Sequence, residues 1–313
     1  MVSAATTGWK HHDLGQEGAA QRYYQVGYKL ACEADPHGHA AWMMRTLAHQ
    51  ALSLKQPHYC VDLDEGALRA GLGHIDGRTE ALLHITHARA YAATDENPSA
   101  ARALLAAEDA LLRDDDPQPS YSRVSGPAAG TVASHTARTL TVLADHIGTE
   151  QQHRDALTRW DPEKYKRVHA LTHADLGDSL AAQARADEAV SAWTQALALM
   201  EGMTSDRTRK AITSIRSTLA IYQRRRVPGA ADLARRAREA LAQHAQQPAR
   251  RREHRGSADR RPAEGPHAGA RIHDPAGRRR HRPRQGHQPR RPPPAQRERE
   301  VRPGDVGPAR RQE

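Results

Sequence analysis

Small residues return along this chain at a nearly fixed interval, and that recurrence limits the possible folds more than any other feature. The series Ala20, Cys60, Ala100, Thr149, Ala189 and Ala230 has gaps of 40, 40, 49, 40 and 41 residues. Seven residues later stand Gly27, Ala67, Ala107, Ala156, Ala196 and Ala237. Twelve residues earlier than the first series stand Gly8, Ala48, Ala88, Ala137, Gly177 and Thr218. Of these 18 positions, 16 are Gly, Ala or Cys. Two helices approach closely only where side chains are small, and stacked helix pairs need that closeness at the same place in every unit. A further column, Tyr24, Asp64, Leu104, His153, Trp193 and Ala234, is mostly bulkier and supplies knobs for the next helix. Between these columns, apolar and small residues recur at three- and four-residue spacing, and strand-like alternation is nearly absent. The pattern predicts an all-α, right-handed solenoid of about five or six helical hairpins over residues 1–247, with a period of about 40. The long gap holds residues 114–119 and Gly126-Pro127, an acidic, breaker-rich loop.

Charge divides the chain at Pro248. The formal net charge is +10, a value that suggests a nucleic-acid binder until it is located. Residues 248–313 hold 19 Arg, no Lys, 3 Asp and 5 Glu, a net of +11, which leaves −1 for residues 1–247. The same segment holds 11 of the 19 prolines and no aromatic residue, so it cannot bury enough apolar area to offset its ordering entropy. It is expected to be disordered. Three readings of it stay open: a basic arm that contacts phosphates, a linker, or the wrong reading frame of a GC-rich gene. The last fits an Arg to Lys ratio of 41 to 6. Nucleic-acid contact is therefore expected only indirectly, or non-specifically through this tail. No apolar run approaches the roughly 20 residues of a membrane helix. No secretory signal opens the chain, and Cys32 and Cys60 make no disulfide framework, so the expectation is a cytoplasmic protein with reduced thiols.

Some residues carry a resemblance. Leu176-Gly177, Ala189, Trp193, Ala196 and Leu197 resemble a tetratricopeptide repeat, and Gly8, Gly15, Ala20, Tyr24 and Gly27 follow the same pattern. The period exceeds the usual 34. Gly8-Trp9 followed by residues 19–24, and residues 160–165 leading into Ala170-Leu171, are similar to the sensor regions of actinobacterial Xre-type transcriptional regulators. The resemblance covers about residues 8–245. It implies a tetratricopeptide-like fold and a sensing role in transcription. Those regulators carry a helix-turn-helix domain before the repeats. Here the repeats begin within ten residues of Met1, so the expectation is a sensor without its DNA reader.

A stack of hairpins presents a concave surface built from the first helix of each pair. One residue past the earliest small column stand Trp9, His49, Arg89, Arg138, Asp178 and Leu219, with His12, Asp13, Arg45, Asp145 and Asp175 a turn away. Trp9, His12, Arg45, His49, Arg89, Arg138 and Asp178 are the candidate groove. Such a groove suits a peptide, an anionic small molecule or a protein partner, because Arg grips a carboxylate with two hydrogen bonds. The competing reading is a solvated face with ordinary ion pairs. His84 with His87, and His169 with His173, share helix faces but lack the Glu and Cys companions of a metal site, so they read as surface histidines without a metal. Asp62, Asp64 and Glu65 read as surface carboxylates. Neither nucleophile nor nucleotide motifs occur. The expectation is a non-catalytic binding domain without cofactor, the alternative a general interaction scaffold, and a homodimer is compatible with either.

Overall fold

The computed structural model describes residues 1–113, 119, 121 and 126–258, with 246–258 described by backbone alone. The breaker-rich stretch at 114–118 and the tail from 259 onward lie outside the described residues. Among those described, twelve helices and no strand occur. They pair as six hairpins: α1 (Val2–Asp13) with α2 (Glu17–Ala34), α3 (Gly38–Ser53) with α4 (Pro57–Gly71), and α5 (Gly77–Ala93) with α6 (Asn97–Leu112). The second half repeats the plan with α7 (Ala128–Val142) and α8 (His146–Arg159), α9 (Lys166–Ala182) and α10 (Ala186–Met200), and α11 (Asp206–Arg224) and α12 (Ala230–Ala258). Successive hairpins stack on one another. The helical-repeat architecture is as the small-residue columns predict. The boundary expected after Gln247 falls inside α12, whose backbone runs on to Ala258.

The columns mark the helix crossings. Ala20, Cys60, Ala100, Ala189 and Ala230 have no exposed surface at all, and neither do Ala67, Ala107, Ala156, Ala196 and Ala237. Where the bulky column carries a large ring, the facing position is glycine. A Cβ on Gly8 would lie 2.5 Å from Tyr24 Cε1, and one on Gly177 would overlap the Trp193 indole. With no Phe in the chain, such rings carry much of the core: Trp193 and Tyr24 are the two largest fully buried side chains.

All six hairpins turn the same way. Two residues past each first helix, Gly15, Lys55, Asp95, Ala144, Ala184 and Arg226 adopt the left-handed conformation, with φ between 57° and 72°. The next residue's N–H then reaches back to a carbonyl of the helix's last turn, as from Gln16 to His11 at 2.9 Å and from Arg185 to Leu180 at 3.0 Å. This closes the orphan carbonyls of the helix end.

The stack curls until its ends meet. Asp13, at the end of α1, accepts hydrogen bonds from Arg167 Nη1 (2.7 Å) at the start of α9 and from Ser205 Oγ (3.2 Å), the N-cap of α11. Gly15 sits so close to Asp206 that a Cβ there would lie 3.2 Å from its carboxylate. This clasp joins the first hairpin to the fifth and sixth.

Candidate functional site

Closure turns the concave face into a cavity of about 530 Å³. Its wall is built from α1, α3, α7, α9 and the start of α11, which are first helices of their hairpins. One side is apolar: Trp42, Trp160, Tyr165, Val168 and Leu171. The Trp160 indole meets the Tyr165 ring edge-on at 4.8 Å and donates from Nε1 to Ser134 Oγ at 3.4 Å. A chain of rings crosses the other side. Trp9 lies 5.3 Å from His12 and 5.6 Å from His49, and His49 stacks on His135 at 5.4 Å. A second depression of about 560 Å³ adjoins it, lined by Leu52, Lys55, Pro57, Arg89, Ala93, Arg138 and Val142. Arg138 borders both.

Guanidinium groups dominate the polar part. Arg138 is paired with Asp175 (2.9 Å), and Arg167 with Asp13. Three others form no ion pair among the described residues, although the buried Asp64 carboxyl acts on Arg45 and Arg89 at longer range. Arg45 is buried and donates from Nε to the Leu82 carbonyl at 2.8 Å. Arg207 lies over the Trp9 ring at 5.8 Å, a cation–π contact. Arg89 has a buried Nη1 with no hydrogen-bond partner. Burial first, and the Arg138 charge next, lower Arg89 to about 9 and Arg207 to about 10. Burial likewise lowers Arg45 to about 10. Burial and then Arg89 hold His49 and His135 well below the usual imidazole range, so both rings are neutral at physiological pH. The Nδ1 of His135, a residue only 8% exposed, has no hydrogen-bond partner.

Of the seven groove candidates, Trp9, Arg45, His49 and Arg138 line the cavity. His12 backs the wall, buried, with its ring against Trp9 and Nδ1 at 3.0 Å from Glu17 Oε2. Arg89 borders the adjoining depression. Asp178 is a correction: it lines neither space, and its carboxylate accepts from Trp193 Nε1 at 3.1 Å. Asp145, a neighbour of the candidate face, caps α8 through the Gly148 N–H. Sequence reasoning missed Trp160, Tyr165, His135, Arg167 and Arg207 as lining residues. His135 was within reach of it, because the column three residues before Arg138 also faces inward, through Thr6, Thr46 and His135.

The histidine and carboxylate expectations need two further corrections. His87 is buried against Tyr91, and His169 is buried with Nε2 donating to the Trp160 carbonyl at 2.7 Å, so neither is a surface residue. Asp64 has no exposed surface either. Its carboxyl faces the Cys60 thiol at 3.9 Å, and burial pushes it well above the usual carboxylate range. Among the described residues no group of three metal-ligating side chains forms, and no helix is long and apolar enough to cross a membrane.

Neither a family model nor a curated protein matches the chain. A solved structure, that of BtubC (BKLC) from P. vanneervenii, is similar at 16% sequence identity and a TM-score of 0.49. The match covers 83% of this chain and 97% of that one.

Proposed function

We propose that this chain is a non-catalytic binding domain whose ligand occupies the cavity enclosed by the curled repeats, and that it serves as the sensor part of a transcriptional regulator. One observation carries the binding role: the cavity combines the indoles of Trp9, Trp42 and Trp160 with the guanidiniums of Arg45 and Arg207, which form no ion pair among the described residues. Enclosed, mostly apolar spaces with a few convergent polar groups are the usual form of ligand sites. The lining hydroxyls favour binding over nucleophilic chemistry. Those of Thr46, Thr131, Ser134 and Thr172 all donate to carbonyls of their own helices. The regulatory role rests on the resemblance of the repeats to Xre-type sensor regions.

The binding role is tested by titrating the full chain with a panel of metabolites and short peptides. Tryptophan fluorescence reports occupancy, because Trp9, Trp42 and Trp160 line the cavity. Saturable quenching without product in the mass spectrum supports the proposal, and turnover overturns it. A helix-turn-helix reading frame directly upstream of the first codon would support the regulatory role, and its absence in every frame would count against it. The second reading is a general protein-interaction scaffold. Exposed Tyr23, Val26 and Leu30 along α2 favour it. Capture of a protein partner that a Val26→Asp change abolishes, with no cavity ligand found, would shift the conclusion there.

A further inference from the structure

We propose that the cavity selects a small amphipathic anion: a flat apolar body carrying one carboxylate, sulfonate or phosphate group. This rests on the cavity-binding reading above and names the ligand class.

The anion requirement follows from unneutralised charge. Arg45 and Arg207 line the cavity and form no ion pair among the described residues, and Arg89, which borders the adjoining depression, lies near enough for its charge to act on both. The acids within reach are already engaged. Asp13 is held by Arg167 and Ser205, and Asp175 by Arg138. Asp64 lies close enough for its charge to reach Arg45 and Arg89, but burial against the Cys60 thiol favours its protonated, neutral form. The neutral imidazoles of His49 and His135 add no negative charge. A buried charge without partner is strongly unfavourable, as is a buried donor without acceptor. The Nη1 of Arg89 is such a donor, in the depression that adjoins the cavity at Arg138. An anion entering the cavity supplies acceptors to Arg45 and Arg207, and guanidiniums bind planar oxyanions in two-pronged fashion.

The apolar body follows from the rest of the lining. Trp42, Trp160, Tyr165 and Leu171 present aromatic and aliphatic surface to the same space. Small size follows from the clasp and the volume. A half-open cavity of about 530 Å³, bounded at the Asp13 clasp, matches a drug-sized molecule in volume.

The test uses two fluorescent probes with the same apolar body. One is 1-anilinonaphthalene-8-sulfonate; the other is N-phenyl-1-naphthylamine, which lacks the sulfonate. Both are titrated into the full chain by fluorescence, with calorimetry for stoichiometry. The sulfonate is expected to bind as one molecule per chain, about tenfold or more tighter than the neutral arene. Arg207→Gln is expected to weaken the sulfonate about tenfold and leave the arene within about twofold. Arg45→Gln repeats the comparison should the first variant fold poorly by circular dichroism. Trp160→Leu is expected to weaken both probes. Equal affinities for the two probes, unchanged by either arginine variant, overturn the anion preference while cavity binding stands. Binding of the sulfonate at many sites, insensitive to all three variants, places it elsewhere on the chain and overturns the proposal. Failure of both probes, together with no quenching by any metabolite, removes the cavity-binding reading itself.

Discussion

Gly177→Ala reverses the usual sign of a helix substitution, and the geometry sets its size. Gly177 lies inside α9, where intrinsic propensity favours alanine by about 1 kcal/mol. Here the added methyl would overlap Cδ1 and Nε1 of the Trp193 indole and lie 3.0 Å from Cε2. The ring has nowhere to go. Trp193 has no exposed surface, its Nε1 donates to the Ala174 carbonyl (3.2 Å) and to Asp178 Oδ1, and it packs 5.8 Å from Tyr222. Overpacking of a filled core costs about 1–3 kcal/mol, and displacing the indole from one hydrogen bond adds about 1 kcal/mol. Set against the propensity gain, Gly177→Ala should destabilise the chain by about 1–3 kcal/mol. In a Trp193→Leu background the clash is gone, and the same change should stabilise by up to about 1 kcal/mol. Urea denaturation followed by far-ultraviolet circular dichroism measures all four members of the cycle. If Gly177→Ala is as stable as the parent while Trp193 is present, the close approach of α9 to α10 is wrong. So is the steric reading of the glycine column.

Two more perturbations address the clasp and the buried histidines. Asp13→Asn keeps an acceptor for Ser205 but removes the ion pair with Arg167. Because Arg167 is 40% exposed, the cost should be only about 1 kcal/mol. Hydrogen exchange should quicken in α1 and not in α7–α10; unchanged exchange in α1 would refute the closing role of Asp13. His153 is pushed down to about 4, mainly by burial, from an ordinary value of 6.5. The unfolded chain takes up this proton near pH 6.5 and the folded chain only near 4. Stability from this group is therefore complete above 6.5 and falls through that interval, by about 3 kcal/mol at pH 4. His153→Leu should flatten the acid limb of the urea midpoint by that amount between pH 7 and 4, and parallel profiles for variant and parent would refute it.

The repeat was legible because it is a steric constraint written at fixed positions: Ala20, Ala67 and their equivalents can only be small where helices cross. The turns were not legible. A left-handed residue after a helix normally announces itself as glycine, and only Gly15 does so. Lys55, Asp95, Ala144, Ala184 and Arg226 take that conformation at a cost of about 1 kcal/mol each, because the stacking on either side fixes the hairpin. The candidate face was legible for the same reason as the repeat, since Trp9, His49 and Arg138 stand one residue past a small column on inward-facing helices. Asp178 obeys the same arithmetic and fails because Trp193, one turn after the Ala189 crossing on the partner helix, captures the carboxylate.

Curvature is what the sequence conceals, and curvature decides the chemistry. It accumulates from small rotations between hairpins, none of which has a residue signature of its own. An open groove lined with Arg45, Arg89 and Arg138 would be a solvated face whose charges water screens, the bland alternative for these residues. Once Asp13 reaches Arg167 and Ser205, Arg45 and Arg138 line a half-enclosed space, and Arg207 and Trp160 arrive in it from elements far along the chain. Removing water strengthens every uncompensated charge interaction inside. The same guanidiniums that would be incidental on an open surface then become a demand for an anion, so the ligand preference depends on closure as much as on residue type. Asp13→Asn should accordingly weaken the naphthalene sulfonate probe even though Asp13 repels anions. If removing that carboxylate instead tightens the probe, local charge outweighs enclosure, and the argument from closure fails.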